Sequence, residues 1–236
     1  MTDPTPTSAS DAAPPTAVAA FDFDGTLTEG GSVFPFLIAL CGIVPVLRAT
    51  LRYSPQLVHA ALVGGTTADE AKALYLTRLL KGIPAAQVDR AAAVFARRHL
   101  ERKLRPRSAA RLKWHVGQGH HVVIVSASPE CYVLAAGTQL QVDGAIATKL
   151  AVDEAGKLTG GYEGNNCRGE EKLNRLMSHL SDRGLVGPDG QLPELWAYGN
   201  SRGDLRLLQA ADHGVDVGKL GKWGKLRQFP RLREVD

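Results

Sequence analysis

The chain is poor in cysteine, with only Cys41, Cys131 and Cys167 among its 236 residues. Their wide separation does not match the close spacing of a metal site, and an odd, sparse set gives no disulfide framework. Such usage is typical of a reducing compartment, so we expect a cytoplasmic protein. Because 44% of the residues are apolar, the chain is long and apolar enough for one core with an inserted subdomain.

Long apolar runs are also missing, since no stretch reaches the ~18 consecutive apolar residues of a membrane span. The nearest approach is the uncharged stretch 33–47, which Pro35, Gly42 and Pro45 interrupt. This stretch predicts a buried or interfacial helix. Residues 1–16 lack the basic start and apolar run of a signal peptide, and their composition predicts a disordered leader.

The net charge of +4 and the isoelectric point of about 9.0 are compatible with an anionic ligand or surface. No nucleic-acid recognition motif accompanies this charge, so we expect no nucleic-acid partner. Two basic clusters stand out, with Trp223 and Phe229 inside the second: Arg97, Arg98, Arg102, Lys103, Arg105, Arg107, Arg111 and Lys113, then Lys219, Lys222, Lys225, Arg227, Arg231 and Arg233. Each cluster has two interpretations, a solvated face or a peripheral contact with anionic lipid headgroups.

A short apolar strand runs directly into an acidic turn that contains Asp22, Asp24, Gly25 and Thr26. Carboxylates one residue apart on a strand face opposite sides, but Gly25 permits a turn that brings both acids to one site. The same turn presents backbone N–H groups to an anion. The pattern suits phosphoryl transfer, with one acid as nucleophile and the other as proton carrier. The alternative interpretation is an ordinary acidic strand end.

Strands are predicted at about 18–23, 121–126, 145–150, 195–199 and 214–217, with helical patterns between them. This alternation predicts an α/β fold with a doubly wound parallel sheet between two helical layers, with ligands beyond the carboxyl ends of the strands. Pro84 and Pro106 each predict a helix start. The pattern divides the chain into a catalytic core at 17–29 and 106–218, an all-helical cap at 30–105 and a basic tail at 219–236.

Four ordered motifs at the predicted strand ends resemble the signatures of the haloacid-dehalogenase-like (HAD) superfamily. They are the acidic turn at Asp22, the run 121–126 that ends in Ser126, Lys172 at a helix start, and the Asn200 to Asp204 segment after a strand. The resemblance covers about residues 17–218. It implies a Rossmann-like core with a cap inserted after the first strand.

The resemblance implies a role for each of these residues. Asp22 would form an aspartyl-phosphate, and Asp24, an acid that the family's dehalogenases lack, would serve as general acid and base. Gly25, Thr26, Ser126, Ala127 and Lys172 would bind the phosphoryl group. Asp22, the backbone carbonyl of Asp24, Asn200 and Asp204 would hold Mg²⁺. Position 200 is more commonly aspartate in the family, so either Asn200 or Asp204 remains a candidate for the direct metal ligand.

The helical cap and the motif sequences resemble the subfamily (IB) that includes phosphoserine phosphatase. Two positions depart from true phosphoserine phosphatases: Gly31 replaces a substrate-binding glutamate, and Ala127 replaces glycine. We therefore expect a Mg²⁺-dependent phosphatase acting on a phosphorylated small molecule or lipid. The alternatives are a phosphoserine phosphatase proper and a catalytically weakened binding module. Ser128, which precedes Pro129, is predicted to cap the next helix and leave Ser126 free.

Overall fold

The computed structural model describes residues 16–63, 74–187, 189–218 and 225–234, with the backbone alone at 56–63, 225, 227 and 234. The strands are β1 (Ala17–Phe21), β2 (His121–Pro129), β3 (Gly144–Thr148), β4 (Leu150–Val152), β5 (Leu158–Tyr162), β6 (Glu194–Gly199) and β7 (His213–Asp216). Five of them form a parallel sheet in the order β3-β2-β1-β6-β7. Helices flank this sheet, so the predicted α/β fold is confirmed.

Strand β1 lies at the centre of the sheet and is buried along its whole length. Its side chains alternate between two cores, because successive residues of a strand point to opposite faces. Ala19 and Phe21 join the larger core, whereas Val18 and Ala20 join the smaller one. A strand that is apolar on both faces fits only between two helical layers. This position places the acidic turn that follows β1 at the middle of the sheet edge.

The helices are α1 (Val33–Cys41), α2 (Ile43–Val63), α3 (helical backbone over 74–80), α4 (Ala85–Lys103), α5 (Pro106–Gly117), α6 (Glu130–Leu140), α7 (Glu170–Asp182) and α8 (Leu205–Ala210). Pro84 precedes α4 and Pro106 opens α5, as the sequence predicts. The described helices between β1 and β2 are α1 to α5. We call α1 to α4 the helical insertion. Gly42, at φ 83°, separates α1 from α2.

An antiparallel hairpin of β4 and β5 follows the sheet strand β3 and was not predicted from the sequence. It packs against the helical insertion, because Leu158 exchanges backbone hydrogen bonds with Gly82 (2.8 Å) and Ile83 (2.9 Å). The Thr77 hydroxyl also donates to the Gly160 carbonyl at 2.9 Å. The hairpin therefore braces the connection between α3 and α4.

The segment 225–234 packs back onto the sheet beside β7. The Asp216 N–H donates to the Pro230 carbonyl at 2.9 Å, Leu232 is buried in the larger core, and Phe229 packs against the smaller one. Trp223 and the rest of 219–224 lie outside the described residues, as do residues 1–15 of the predicted leader. Among the helices of the described chain, we find none with the length and apolarity needed to cross a membrane.

Candidate active site

The turn after β1 is built around Gly25, whose φ of 80° lies in the region that favours glycine. A Cβ at this position would lie 2.1 Å from the Asn200 side chain, so the turn also requires the missing side chain. The Gly25 N–H donates to the Thr28 carbonyl at 2.8 Å, which closes the turn. Asp22 and Asp24 therefore both reach the carboxyl edge of the sheet, as the acidic motif predicts.

Lys172 lies between two buried carboxylates. Its Nζ is 2.6 Å from Asp22 Oδ1 and 2.6 Å from Asp204 Oδ1. The second oxygen of Asp22 accepts a hydrogen bond from the Thr26 hydroxyl at 3.0 Å. Helix α7 supplies the lysine from its first turn, which points at the sheet edge. The Lys172 side chain thus links the acidic turn after β1 to the loop after β6.

Burial and charge perturb the pKa values of this triad in different directions. Burial raises the pKa of Asp22 to about 7, the negative charge of Asp204 adds to this effect, and Lys172 opposes it. Burial also acts against the charged form of Asp204, but Lys172 and the hydrogen bonds from Ser201 outweigh it and lower the pKa of Asp204. Burial acts against the charged form of Lys172 as well, yet the two carboxylates outweigh it and raise the lysine pKa. The triad therefore holds Asp204 and Lys172 in their ionised forms and leaves Asp22 the group closest to titration at neutral pH.

Asp24 is held by hydroxyl groups from two distant parts of the chain. Its Oδ2 accepts hydrogen bonds from Ser128 (2.5 Å) and Ser32 (2.9 Å). Its Oδ1 is buried and has no hydrogen-bond partner among the described residues. A buried carboxylate oxygen without a partner is costly, so we read this atom as one kept free for a ligand. Ser128 does not cap α6 as predicted, because its hydroxyl is committed to Asp24 and Pro129 occupies the N-cap position without a side-chain bond.

The end of β2 presents Ser126 and Ala127 to the same place. The Ser126 hydroxyl accepts a hydrogen bond from the Ser128 N–H at 3.1 Å, and we find no bond that it donates within the described chain. The carbonyl of Ala127 is held by the Thr148 hydroxyl at 3.1 Å. The loop is thus fixed by its neighbours, and the Ser126 hydroxyl keeps a proton that it can donate.

Asn200 and Asp204 occupy different environments although they lie four residues apart. Asp204 Oδ2 accepts hydrogen bonds from the Asn200 N–H (3.2 Å), the Ser201 N–H (2.9 Å) and the Ser201 hydroxyl (2.8 Å). Both of its oxygens are therefore engaged, one by Lys172 and one by this loop. The Asn200 amide instead extends toward the acidic turn.

One terminal atom of the Asn200 amide lies 3.1 Å from the Asp24 carbonyl oxygen and 3.2 Å from Asp22 Oδ2. As a nitrogen, this atom donates to both oxygens. As an oxygen, it completes a set of three hard oxygen ligands with no proton between them, which a cation stabilises. Adjacent ligands of an octahedral Mg²⁺ ion are about 3.0 Å apart, given Mg–O distances of about 2.1 Å. No group of three His, Cys, Asp and Glu side chains in the described part of the chain is arranged for a metal, so Mg²⁺ here would use the amide and the carbonyl. The donor set fits.

The predicted side chains meet in one cavity of about 150 Å³ at the carboxyl ends of β1, β2 and β6. Its lining contains seven residues identified from the sequence: Asp22, Asp24, Ser126, Ala127, Lys172, Asn200 and Asp204. Gly25 and Thr26 are not part of the lining and support it from the turn. Sequence reasoning missed Ser32, which contacts Asp24, and Arg168, which lines the cavity. Arg168 lies four residues before Lys172, and its proximity to that lysine is the only sequence signal we can identify for it.

Comparison with known proteins identifies the family of this chain. The family model of haloacid dehalogenase-like hydrolases matches residues 19–209. Protein CicA of Caulobacter vibrioides (strain NA1000 / CB15N) is 37% identical over 194 residues, which cover 82% of this chain and 82% of that protein.

Two of the solved structures that share the fold illustrate it. A protein of unknown function from Bordetella pertussis Tohama I superposes with a TM-score of 0.76 at 22% identity, covering 92% of this chain and 98% of its own. Phosphoserine phosphatase from T. onnurineus superposes with a TM-score of 0.59 at 21% identity, covering 97% of this chain and 96% of its own. The fold is therefore of the phosphoserine-phosphatase type. With the family model matching most of its length, this chain belongs to the haloacid dehalogenase-like hydrolases.

Proposed function

We propose that this protein hydrolyses phosphomonoesters, with Asp22 as nucleophile and Asp24 as general acid and base. The observation that carries the proposal is that the two carboxylates of one small cavity differ in their hydrogen bonding. Lys172 and Thr26 hold both oxygens of Asp22 in place. Asp24 is anchored through one oxygen only, and its other oxygen has no partner among the described residues. The first arrangement suits an oriented nucleophile, and the second suits a proton carrier.

In the proposed first step, an Asp22 oxygen attacks phosphorus and the bond from phosphorus to the ester oxygen breaks. Asp24 gives its proton to the leaving alcohol. In the second step, Asp24 takes a proton from water while the water oxygen attacks phosphorus, and the Asp22–phosphorus bond breaks to release inorganic phosphate. Two covalent steps replace one difficult displacement, and both proton transfers use the same carboxylate.

The remaining residues of the cavity would bind the phosphoryl group. The Ser126 hydroxyl has a proton to donate, and the Ala127 backbone lies beside it at the end of β2. Lys172 places a positive charge against the nucleophile, which favours the ionised form of Asp22 and offsets negative charge on the phosphoryl oxygens. Gly25 and Thr26 would contribute through the backbone of the turn.

Mg²⁺ would be held by Asp22, the Asp24 carbonyl and Asn200, with Asp204 acting indirectly through its hydrogen bonds to the Asn200 loop. When bound, the ion supplies positive charge that stabilises charge on the phosphoryl oxygens. The assignment of Asn200 rather than Asp204 as the direct ligand is supported by the complete hydrogen bonding of Asp204.

The helical insertion would act as the cap and choose the leaving group. A second cavity, of about 450 Å³, lies where the chain leaves the acidic turn and passes into α1. Its walls include Gly30, Gly31, Pro35, Ala39, Phe95 and His99, and its charged residues are Glu29, Arg98, Arg102 and Lys103. His99 is buried and its Nε2 has no hydrogen-bond partner in the described chain. The apolar part of this lining favours a leaving group that is partly apolar, such as that of a phosphorylated glycerolipid, and the three cations favour an anionic ester.

The test is phosphate release from p-nitrophenyl phosphate, phosphoserine and a lysophosphatidic acid in detergent micelles, each with and without Mg²⁺. We expect Mg²⁺-dependent turnover with the lipid phosphate preferred over phosphoserine. Asp22→Asn should lower the rate by about three orders of magnitude or more, because the nucleophile is lost while the shape is kept. Asp182→Asn, at the end of α7, is the matched control and should behave as wild type. Near-normal turnover by Asp22→Asn would contradict the mechanism.

The same assay separates the two alternatives. A phosphoserine phosphatase would prefer phosphoserine over the lipid phosphate. A binding module would release no phosphate from any of the three esters, yet its melting temperature would rise when a phosphate ester or Mg²⁺ is added.

A further inference from the structure

We propose that the exposed face of α2 docks on an anionic membrane surface. The helix has two unlike faces. Val46 and Ala49 are buried on its inner face. On the same side, the hydroxyls of Thr50 and of Tyr75 from α3 share a 2.9 Å hydrogen bond. This inner face packs against the other helices of the insertion, so α2 lies along the surface of the molecule.

The outer face of α2 is apolar although it is exposed. The exposed fractions are 56% for Ile43, 59% for Val44, 48% for Leu47 and 75% for Leu51. At about 3.6 residues per turn, these four side chains cover about 100° of the helix circumference. Scattered exposed apolar residues need no explanation, but a continuous stripe on one helix marks an interaction surface.

Arginines border this stripe. Arg48 and Arg52 follow it around the helix, and Arg78 approaches from α3. Together with Val44 and Leu51 they line a cavity of about 820 Å³ between the two helices, and no acidic residue is among those found to line it. In the sequence, no Asp or Glu occurs between Glu29 and Asp69. An apolar stripe edged by cations is the pattern of helices that lie in the plane of a membrane interface, and the cavity suits a phosphate headgroup with the start of its acyl chain.

The two basic clusters noted in the sequence fit this role less well. In the first, Arg105 donates to the carbonyls of Gly25 and Val217, and Arg111 donates to the Tyr198 hydroxyl at 2.9 Å. In the described part of the second, Arg231 donates to the Gly218 carbonyl and Phe229 packs against the core. These side chains serve the fold, whereas the outer face of α2 combines exposed apolar and basic groups on one surface. We therefore place the membrane contact on α2.

Vesicle sedimentation tests the proposal without depending on catalysis. The full chain is mixed with phosphatidylcholine vesicles that contain or lack about 30% phosphatidylglycerol, at about 50 mM and 500 mM salt. We expect binding to the anionic vesicles that weakens at high salt. Leu47→Asp/Leu51→Asp should weaken binding by about tenfold or more, because two apolar contacts are replaced by charges that the vesicle repels. Arg48→Gln/Arg52→Gln should weaken it by about fivefold for each arginine.

Val116→Asp and Lys113→Gln on α5 are the matched controls, since Val116 is 43% exposed and Lys113 is also exposed. Both should bind vesicles as the wild type does. Circular dichroism melting curves check that every variant is folded. If Leu47→Asp/Leu51→Asp does not fold, the vesicle binding of Arg48→Gln/Arg52→Gln decides the test. All variants should hydrolyse a soluble aryl phosphate at the wild-type rate.

Three outcomes of the sedimentation assay would overturn the proposal. They are no binding of the wild type to anionic vesicles, unchanged binding of both α2 variants, and equal loss of binding in the α5 controls. Light scattering tests whether a second copy of the chain covers this face instead. A wild-type dimer that the Leu47→Asp/Leu51→Asp substitutions dissociate would also refute membrane docking. Failure of aryl phosphate hydrolysis by the wild type would instead contradict the proposed enzyme activity and leave the docking result intact.

Discussion

Ser32 donates a hydrogen bond of 2.9 Å from its hydroxyl to Asp24 Oδ2. It stands at the N-cap position of α1, yet its side chain makes no capping bond to the helix. The same hydroxyl pairs with the buried Tyr132 hydroxyl at 2.8 Å. The residue immediately before α1 is therefore joined directly to the proposed proton carrier, so movement of α1 and the position of Asp24 are linked.

Ser32→Ala should lower kcat by about tenfold, because a hydrogen bond to a charged group contributes about 1.5–3 kcal/mol. The KM for an aryl phosphate should change little, because Ser32 holds Asp24 and does not line the cavity. Ser32→Thr should restore kcat. The control is Ser54→Ala, an exposed serine whose hydroxyl donates to the Leu51 carbonyl within α2. A lower melting temperature with an unchanged kcat would mean that Ser32 serves the fold alone.

Lys172→Met should reduce the free energy of unfolding by about 3–5 kcal/mol, since it leaves two buried carboxylates without their cation. The loss should be smaller at pH 5 than at pH 8. The folded-state pKa of Asp22, already raised to about 7, should rise further without the lysine. A carboxyl with a raised folded-state pKa binds its proton more tightly in the folded state, so stability rises as pH falls through that value.

Urea unfolding at the two pH values measures this difference, with Lys113→Met on the surface of α5 as the control. An equal loss for Lys172→Met at both pH values would show that no uncompensated carboxylate remains in the folded variant.

Asn200→Asp should make the protein more dependent on Mg²⁺ for stability. Without metal, a new carboxylate beside Asp22 Oδ2 and the Asp24 carbonyl should lower the melting temperature through like-charge repulsion. With metal, the anionic oxygen should tighten binding, and the half-saturating Mg²⁺ concentration should fall by about tenfold. Melting curves across a Mg²⁺ titration give both values. Asn165→Asp is the exposed control, and identical titrations for Asn200→Asp and wild type would remove residue 200 from the metal site.

His115 should make the fold sensitive to acid. Burial lowers the pKa of this imidazole to about 3, with smaller contributions from His120 and Arg111, and its Nε2 pairs with the Tyr198 hydroxyl at 2.8 Å. A base whose folded-state pKa lies below its usual 6.5 stabilises the fold above pH 6.5, and this stability is lost as pH falls toward 3.

We expect His115→Gln to flatten the dependence of unfolding free energy on pH in that window, as measured by urea denaturation. His213→Gln, a partly exposed histidine paired with Glu194, is the control. A slope in His115→Gln as steep as in wild type would assign the acid sensitivity to other groups.

The sequence by itself determined the elements and their order. An apolar strand buried on both faces, a glycine turn and proline helix starts are local patterns, so β1, the Gly25 turn, α4 and α5 could be predicted from neighbouring residues alone. Because parallel strands end at one edge of their sheet, the motifs at those ends also indicated which residues would meet.

Tertiary structure decided the contacts between those elements. Ser32 and Ser128 lie 96 residues apart and meet on Asp24, and no pattern near either serine predicts that meeting. The choice between Asn200 and Asp204 as the proposed direct metal ligand depends on the position of Lys172 from α7, because that lysine binds the Asp204 carboxylate. The short β4–β5 hairpin was missed since its strands are stabilised by packing on α3 and α4 rather than by their own sequence. The exposed apolar face of α2 could not be predicted from the sequence, because only the packing of α1 and α3 determines which side of an apolar helix is covered.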